Sequence, residues 1–169
     1  QDQRSKDYGN LADAYRPGHA DYSFDAKYGF RDYRGGGRSS GRETLGRVAA
    51  GAIACKILKQ LNIEVQAYTR SIGPVEIQAF DSSQISQNPL CMPDSQAAAK
   101  AQEYLEVCRK KQDSAGGVIE CRIQNCPPGA GEPVFEKLDA NLAKAVMSIG
   151  SVKAVEIGDG TKAAYALGS

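Results

Sequence analysis

The feature that most constrains the fold is a proline-free segment from Leu45 to Leu61, rich in residues that favour helices. Ser40 can act as its N-cap, and Glu43 follows three residues later, which is a capping-box pattern. Many residues of the segment are small: Gly46, Ala49, Ala50, Gly51, Ala52 and Ala54. Because small side chains let a neighbouring helix approach closely, we predict a helix inside the protein rather than on its surface.

The remainder of the chain alternates between strand and helix patterns. Alternating apolar residues predict strands at 63–71, 75–80, 117–124 and 152–157. Asp94 and Ser95 can begin a helix that ends near residue 111 in basic side chains, which suit the helix dipole. A last helix is predicted from about 139 to 149.

Two segments predict irregular structure. Residues 1–38 show no sustained apolar period, and prolines and glycines indicate a loop at 126–133. The order of elements predicts an α/β fold class (mixed α+β), with helices packed on a mixed sheet. A length of 169 residues is most simply one domain, residues 1–169. The chain begins at Gln1 rather than at a methionine, which suggests a fragment, a processed form or a trimmed form.

Composition argues against several classes of function. The net charge of +1 gives no overall field for nucleic acid or an anionic membrane. The longest unbroken run of apolar residues and glycine, Val48–Cys55, is too short to span a bilayer. The five cysteines form no C-x-x-C pair and lie far from the one histidine, so no metal site is predicted. We interpret the cysteines as reduced thiols of a cytoplasmic protein.

A concentration of arginine and glycine precedes the first predicted helix. Six of the ten arginines lie between Arg16 and Arg47, and the centre of this region reads R-G-G-G-R-S-S-G-R from Arg34 to Arg42. Glycines let main-chain N–H groups approach a ligand, and the start of a helix is electropositive. Arg38 and Arg42 are four residues apart, so in a helical turn they would be neighbours. The segment is either an anion site, most often for phosphate, or a flexible loop with solvated arginines.

A different class of function shares this composition. The segment resembles the arginine- and glycine-rich sequences that bind single-stranded RNA. Those sequences are long and repetitive, whereas this one occurs once and leads directly into an apolar helix. It also lacks the endings of a Walker loop and of a dinucleotide-binding fingerprint. An RNA-binding module therefore stays as an alternative to a phosphate site.

His19 follows a proline and a glycine, Pro17 and Gly18. This dipeptide predicts a tight turn that would bring His19 and Arg16 close together. A histidine can exchange a proton near neutral pH. The alternative is an ordinary surface histidine in a turn.

The same residues carry a resemblance to a known family. R-P-G-H-A-D from Arg16, K-Y-G from Lys27, R-D-Y-R-G-G-G-R-S-S from Arg31 and R-E-T from Arg42 closely resemble the signature region of the chorismate synthases. The match continues in family order through R-V-A-A-G-A-I-A from Arg47, G-E-P-V-F from Gly131 and V-E-I-G-D-G from Val155. The resemblance covers essentially the whole chain.

The resemblance implies a fold and a reaction. The fold would be a layered β-α-β sandwich, incomplete here, in a homotetramer. The reaction would be the 1,4-elimination of phosphate from 5-enolpyruvylshikimate 3-phosphate, which gives chorismate and requires reduced FMN. NADPH would enter only through a flavin reductase activity, intrinsic or supplied by a partner. No nucleic-acid or membrane partner is implied.

The resemblance also assigns roles to individual residues. His19 is similar to the family's histidine beside the reduced flavin, Arg16 and Arg42 to ligands of the substrate's anionic groups, and Arg38, Ser39 and Ser40 to the segment that contacts FMN. Family members are longer at both ends, where they carry a second histidine and further FMN ligands. A non-catalytic fragment that binds FMN or phosphate is therefore an alternative.

Overall fold

The computed structural model describes residues 5–168, with side chains from residue 8 onward. Its helices are α1 (Asp21–Tyr28), α2 (Thr44–Gln60), α3 (Ser95–Lys110) and α4 (Leu138–Met147). Its strands are β1 (Glu64–Ile72), β2 (Val75–Glu76), β3 (Gly117–Gln124), β4 (Gly131–Glu132) and β5 (Glu136–Lys137). Short 3₁₀ turns occur at Ser5–Leu11, Gly37–Ser39, Gly41–Glu43, Ser82–Gln84 and Gly160–Tyr165.

The chain divides into two compact units. Among the described residues, the first combines 5–53 with 129–168, and the second is 54–128, so the division falls within α2. The prediction of a single domain stays a prediction.

The second unit contains an antiparallel sheet in the order β2-β1-β3. Glu64 pairs with Gln124 at one end of the β1–β3 ladder and Ile72 with Gly117 at the other, with a β-bulge between Thr69 and Ser71. The predicted strand at 117–124 is confirmed, and that at 63–71 agrees to within one residue. Every strand pairing in the described part of the chain is antiparallel, so the prediction of a mixed sheet was wrong.

The apolar core of the second unit lies between α3 and the chain that precedes it. Met92, Ala97, Ala98 and Ala101 are buried together, with Ile72, Val75, Ile77 and Leu90 packed against them. Asp94 begins α3, as the sequence predicts. Its Oδ1 accepts hydrogen bonds from the N–H groups of Gln96 and Ala97, and its Oδ2 accepts from those of Gln78 and Ala79. One carboxylate therefore joins the start of α3 to the segment after β2.

The turn between β1 and β2 depends on a glycine. Gly73 has φ +52°, in the left-handed region that side chains rarely adopt, and a Cβ there would overlap the ring of Tyr104. The close approach of this turn to α3 therefore requires a residue without a side chain. The second predicted strand, 75–80, is reduced to the two residues of β2, because the chain turns toward Asp94 from residue 78 onward.

The first unit has almost no apolar core. Among the described residues, the buried hydrophobic side chains all belong to the second unit, and Asp21 is the one buried residue of the first. The prediction of irregular structure was wrong for residues 21–28, which form helix α1. The helix has no apolar stripe to reveal it, and Gly29 ends it with φ +77°.

The helix predicted from Leu45 to Leu61 is confirmed as α2, but its predicted burial is not. It begins at Thr44, and in the described part of the chain none of its residues is buried. Leu45, Val48, Ile53 and Ile57 are 76%, 65%, 64% and 55% exposed. The prediction of an interior helix was wrong within residues 5–168, because no element in that range buries the apolar side chains of α2.

Ser40 is confirmed as an N-cap, of the 3₁₀ turn that directly precedes α2, but the capping box with Glu43 was wrong. Ser40 Oγ accepts from the N–H of Arg42, and the Glu43 carboxylate pairs with Arg38 rather than with the backbone of Ser40. The two residues shape a 3₁₀ turn before the helix.

The C-terminal part of the first unit contains α4 and the β4–β5 pair. Helix α4 agrees with the helix predicted from about 139 to 149, while β4 lies inside the predicted loop. The strand predicted at 152–157 was wrong, because this segment is irregular and pairs with no strand among residues 5–168. Arg47 of α2 ties this part to the rest of the unit by donating from Nη2 to the carbonyl and hydroxyl oxygens of Ser148.

Candidate anion-binding site

The first group of predicted site residues lies on a tight turn. The N–H of His19 donates to the carbonyl of Arg16 at 3.2 Å, and Gly18 has φ +73° at the third position of the turn. A positive φ there is typical of a type II turn, and proline suits the position before it. The predicted turn is confirmed, and it places Arg16 and His19 at its two ends.

The His19 ring is exposed, and one of its two nitrogens contacts a main-chain carbonyl. Nδ1 lies 3.1 Å from the carbonyl oxygen of Pro17. A carbonyl can only accept, so this contact favours the tautomer with its proton on Nδ1. Nε2 is then the nitrogen that can take or give a proton at the exposed edge of the ring.

Arg16 forms a bidentate salt bridge with Asp21, which is the first residue of α1. Its Nε donates to Oδ2 at 2.9 Å, its Nη2 donates to Oδ1 at 2.8 Å, and its backbone N–H donates to Oδ2 at 3.0 Å. The hydrogen bonds from Arg16 hold the pKa of Asp21 well below its usual range, despite burial that acts in the opposite direction. The same contact raises the pKa of Arg16.

Arg31 lies behind this pair and is itself nearly buried, with 8% of its side chain exposed. Its Nη2 donates to three main-chain carbonyls, of Leu11, Ala12 and Ala14, and its Nε donates to Asp25 at 3.1 Å. Its Nη1 is 3.7 Å from Oδ2 of Asp21, and its guanidinium lies 4.9 Å from the centre of the Tyr15 ring. Arg31 therefore fixes the segment before Arg16 against α1.

The second group of predicted residues lies on two 3₁₀ turns. Gly36 and Gly37 both have positive φ, +84° and +48°, and a side chain at Gly36 would meet the Ser39 hydroxyl at 3.2 Å. Ser39 Oγ donates to the carbonyl of Gly36 at 2.6 Å. Ser40 is extended between the turns, and its hydroxyl accepts from both the N–H and Nε of Arg42. The glycines therefore allow a compact loop with its polar groups near the surface.

The spacing of Arg38 and Arg42 predicted that they would be neighbours on a helical turn, and this prediction was wrong. The extended Ser40 separates the two turns, so helical geometry does not apply between them. Arg38 is 87% exposed and pairs with Glu43 at 2.7 Å, whereas Arg42 Nη2 donates to the carbonyl of Gly35 at 3.1 Å. Both arginines are exposed, but their orientations are set by different partners.

These two groups have the chemistry of an anion site. Guanidinium groups and exposed hydroxyls donate hydrogen bonds to phosphate and carboxylate oxygens. Arg38, Arg42 and Ser40 provide such donors on one short segment, whereas the Ser39 hydroxyl already donates to the carbonyl of Gly36. Within residues 5–168, no group of three or more His, Cys, Asp or Glu side chains is placed to hold a metal ion. No helix of that range is long and apolar enough to cross a membrane.

Sequence reasoning did not identify the residues that support Arg16 at this site. Asp21, Asp25 and Arg31 were not singled out, although Asp21 ends the quoted motif R-P-G-H-A-D. The available signal was the alternation of acids and arginines from Arg16 to Asp32, which indicates mutual pairing. It does not indicate which pairs form.

Comparison with known proteins agrees with the resemblance. Residues 1–169 match the sequence model of the family described as Chorismate synthase. The Chorismate synthases of Agathobacter rectalis and Lachnoclostridium phytofermentans are 66% and 62% identical over 168 residues. These alignments cover 98% of this chain and 46% of each relative, so the chain spans about half the length of the curated relatives it matches.

A solved structure supports the fold. A crystal structure of chorismate synthase is similar to this chain with a TM-score of 0.79 at 32% identity, and the similarity covers 88% of this chain and 49% of the other. The predicted family resemblance and the α/β fold class are both confirmed.

Proposed function

Because the chain belongs to the chorismate synthase family, we propose that the protein containing it catalyses the elimination of phosphate from 5-enolpyruvylshikimate 3-phosphate to give chorismate. The substrate loses phosphate from C3 and a proton from C6, without net oxidation. It carries two carboxylates and a phosphate. Exposed arginines on two turns suit such a multiply charged anion. The observation that carries the proposal is the family match over every residue of the chain.

Arg16 and Arg42 would bind the anionic groups of the substrate. Arg16 uses Nε and Nη2 for Asp21, and none of its hydrogen bonds to described residues uses Nη1, which leaves that nitrogen for a ligand. Arg42 is exposed at the start of the second 3₁₀ turn. His19 would exchange a proton through Nε2, since Nδ1 contacts the Pro17 carbonyl.

Arg38, Ser39 and Ser40 would hold FMN. Reduced FMN, when bound, supplies the electron-rich flavin on which the elimination depends. The Arg38 guanidinium would have to leave Glu43 or share it, because the present pair occupies Nη1. NADPH is needed only if a flavin reductase, intrinsic or separate, regenerates the reduced flavin.

The remaining proposals concern context. We place the protein in the cytoplasm as a homo-oligomer, a tetramer by analogy with the family, with no nucleic-acid or membrane partner. The alternative function is that of a fragment that binds FMN or phosphate without catalysis. An RNA-binding module of the arginine–glycine type is a weaker alternative, because the segment is folded into two hydrogen-bonded turns.

A competition titration tests the proposal. The protein should bind reduced FMN and the phosphorylated substrate in preference to single-stranded oligonucleotides, which should displace neither. Arg42→Ala, in a protein of the relatives' length, should weaken substrate binding by about tenfold to a hundredfold, the scale of a charged hydrogen bond. Arg42→Lys should restore little, because an ammonium cannot reproduce the guanidinium fork.

Arg109→Ala is the matched control, since Arg109 is exposed on α3 and pairs with Glu106. It removes the same charge and should leave binding unchanged. Tight, sequence-tolerant RNA binding that FMN does not affect would contradict the lyase proposal.

A further inference from the structure

The buried carboxylate of Asp21 has a geometry that suits more than structural support. We propose that Asp21 is a positioning residue: it fixes the Arg16 guanidinium so that one edge of that group is presented to the substrate. This inference rests on the proposed function, in which Arg16 binds an anionic group of the substrate.

The first argument is the number and direction of the contacts. Both oxygens of Asp21 accept from Arg16, through Nε and Nη2, and the backbone N–H of Arg16 accounts for a third hydrogen bond. A guanidinium held at two points by a carboxylate cannot rotate about its last bonds. None of its hydrogen bonds to described residues uses Nη1, so this nitrogen is left for a ligand. A flexible side chain would lose this freedom on binding, and prior immobilisation removes that cost.

The second argument is that Asp21 is itself held in place. Its side chain is 5% exposed, and Arg31 approaches its Oδ2 to 3.7 Å from behind. Arg31 is anchored in turn by three main-chain carbonyls and by Asp25. The backbone at 11–14 therefore holds Arg31, Arg31 holds Asp21, and Asp21 holds Arg16. An arginine whose only role is solubility does not need other residues to hold it in place.

The third argument concerns charge. A carboxylate beside Arg16 lowers the attraction of that arginine for an anion, so removing the charge alone would strengthen substrate binding. Positioning predicts the opposite, because a released Arg16 must be ordered again by each substrate molecule. The direction of the change in KM therefore separates the two roles.

The experiment uses the protein of the relatives' length with dithionite-reduced FMN under anaerobic conditions. Asp21→Asn keeps the size of the side chain and removes its charge. We expect KM for the substrate to rise about tenfold or more, the scale of a lost charged hydrogen bond, while kcat changes less than about twofold. This split is the signature of lost binding that is common to the ground state and the transition state. Asp13→Asn is the matched control, because it removes the same charge from an exposed residue of the same segment; its KM should be unchanged.

Asp21→Glu keeps the charge but displaces the two oxygens by one methylene group. Positioning predicts a raised KM for this variant as well, whereas a purely electrostatic role predicts no change. It decides the matter if Asp21→Asn does not fold. An unchanged or lowered KM in a folded variant would overturn the proposal, and so would the failure of both variants to fold. A wild-type protein without turnover would instead overturn the proposed function.

Discussion

At the scale of single residues, His19 shows how a turn can define the chemistry of a side chain. The Pro17–Gly18 turn places the Pro17 carbonyl 3.1 Å from Nδ1. The tautomer that this contact favours leaves Nε2 available for proton exchange. The ring contributes nothing to a core, because it is exposed.

We therefore predict that His19→Ala affects turnover and not folding. In a protein of the relatives' length, kcat should fall by about 10²–10⁴, the range for a positioned acid or base. The midpoint of chemical denaturation should be unchanged within error. Near-normal turnover in the variant would show that His19 is an ordinary surface histidine without a role in catalysis.

At the scale of elements, the second unit depends on how Asp94 joins α3 to the chain after β2. Four main-chain N–H groups converge on its carboxylate. The hydrogen bond from Gln78, followed by that from Ala97, lowers the pKa of Asp94 below its ordinary value of 3.8. The unfolded chain therefore binds a proton at a higher pH than the folded chain does. The stabilisation is complete above that ordinary value and is lost as the pH falls below it.

Replacing Asp94 should remove this stabilisation. Asp94→Ala should lower the free energy of unfolding by about 2–4 kcal/mol near pH 7, because it removes an N-cap and leaves two further N–H groups without a partner. Asp94→Asn should lose less, since its amide oxygen can still cap α3. The difference between wild type and Asp94→Asn should shrink as the pH is lowered from 5 to about 2.

Urea denaturation at several pH values measures both effects. Glu103→Gln is the control, because it makes the same charge change on the exposed side of α3. A difference that is independent of pH would show that the Asp94 carboxylate is not responsible.

At the scale of the whole chain, apolar burial is unevenly distributed. The buried apolar side chains of the described residues are Tyr68, Met92, Pro93, Ala97, Ala98 and Ala101, all in the second unit. The first unit contains the candidate site but is organised around ion pairs and turns. Its part of α2 exposes Leu45, Val48 and Ile53. Apolar surfaces of this kind favour association with other surfaces.

We therefore predict that the 169-residue chain, expressed alone, folds but self-associates and turns over slowly or not at all. Groups that act together in catalysis lose most of their effect when some are missing. FMN should bind weakly to the isolated chain. Sedimentation velocity measures the association, and an anaerobic assay with dithionite-reduced FMN, run beside a full-length relative, measures turnover. Comparable rates from the two proteins would contradict the prediction.

The sequence by itself determined those features that depend on neighbouring residues. The Pro17–Gly18 turn and the start of α3 at Asp94 depend on hydrogen bonds within a few positions, and the position of strand β3 was predicted from the alternation of its own apolar residues. The family was also evident from the sequence, because its motifs are read directly from consecutive residues. The roles of Arg16, Arg38, Ser39, Ser40 and Arg42 stay predictions.

Only the tertiary structure decided which charges pair and which apolar residues are covered. Arg31 reaches carbonyls 17 to 20 residues away, so no local pattern could indicate that it supports Asp21 and Arg16. Helix α1 depends on the same ion pairs and lacks an apolar stripe. The small residues of α2 indicated an interior helix, but burial requires a partner surface as well as a suitable sequence. The segment 152–157 has the alternation of a strand, yet a strand forms only where another strand completes its hydrogen bonds.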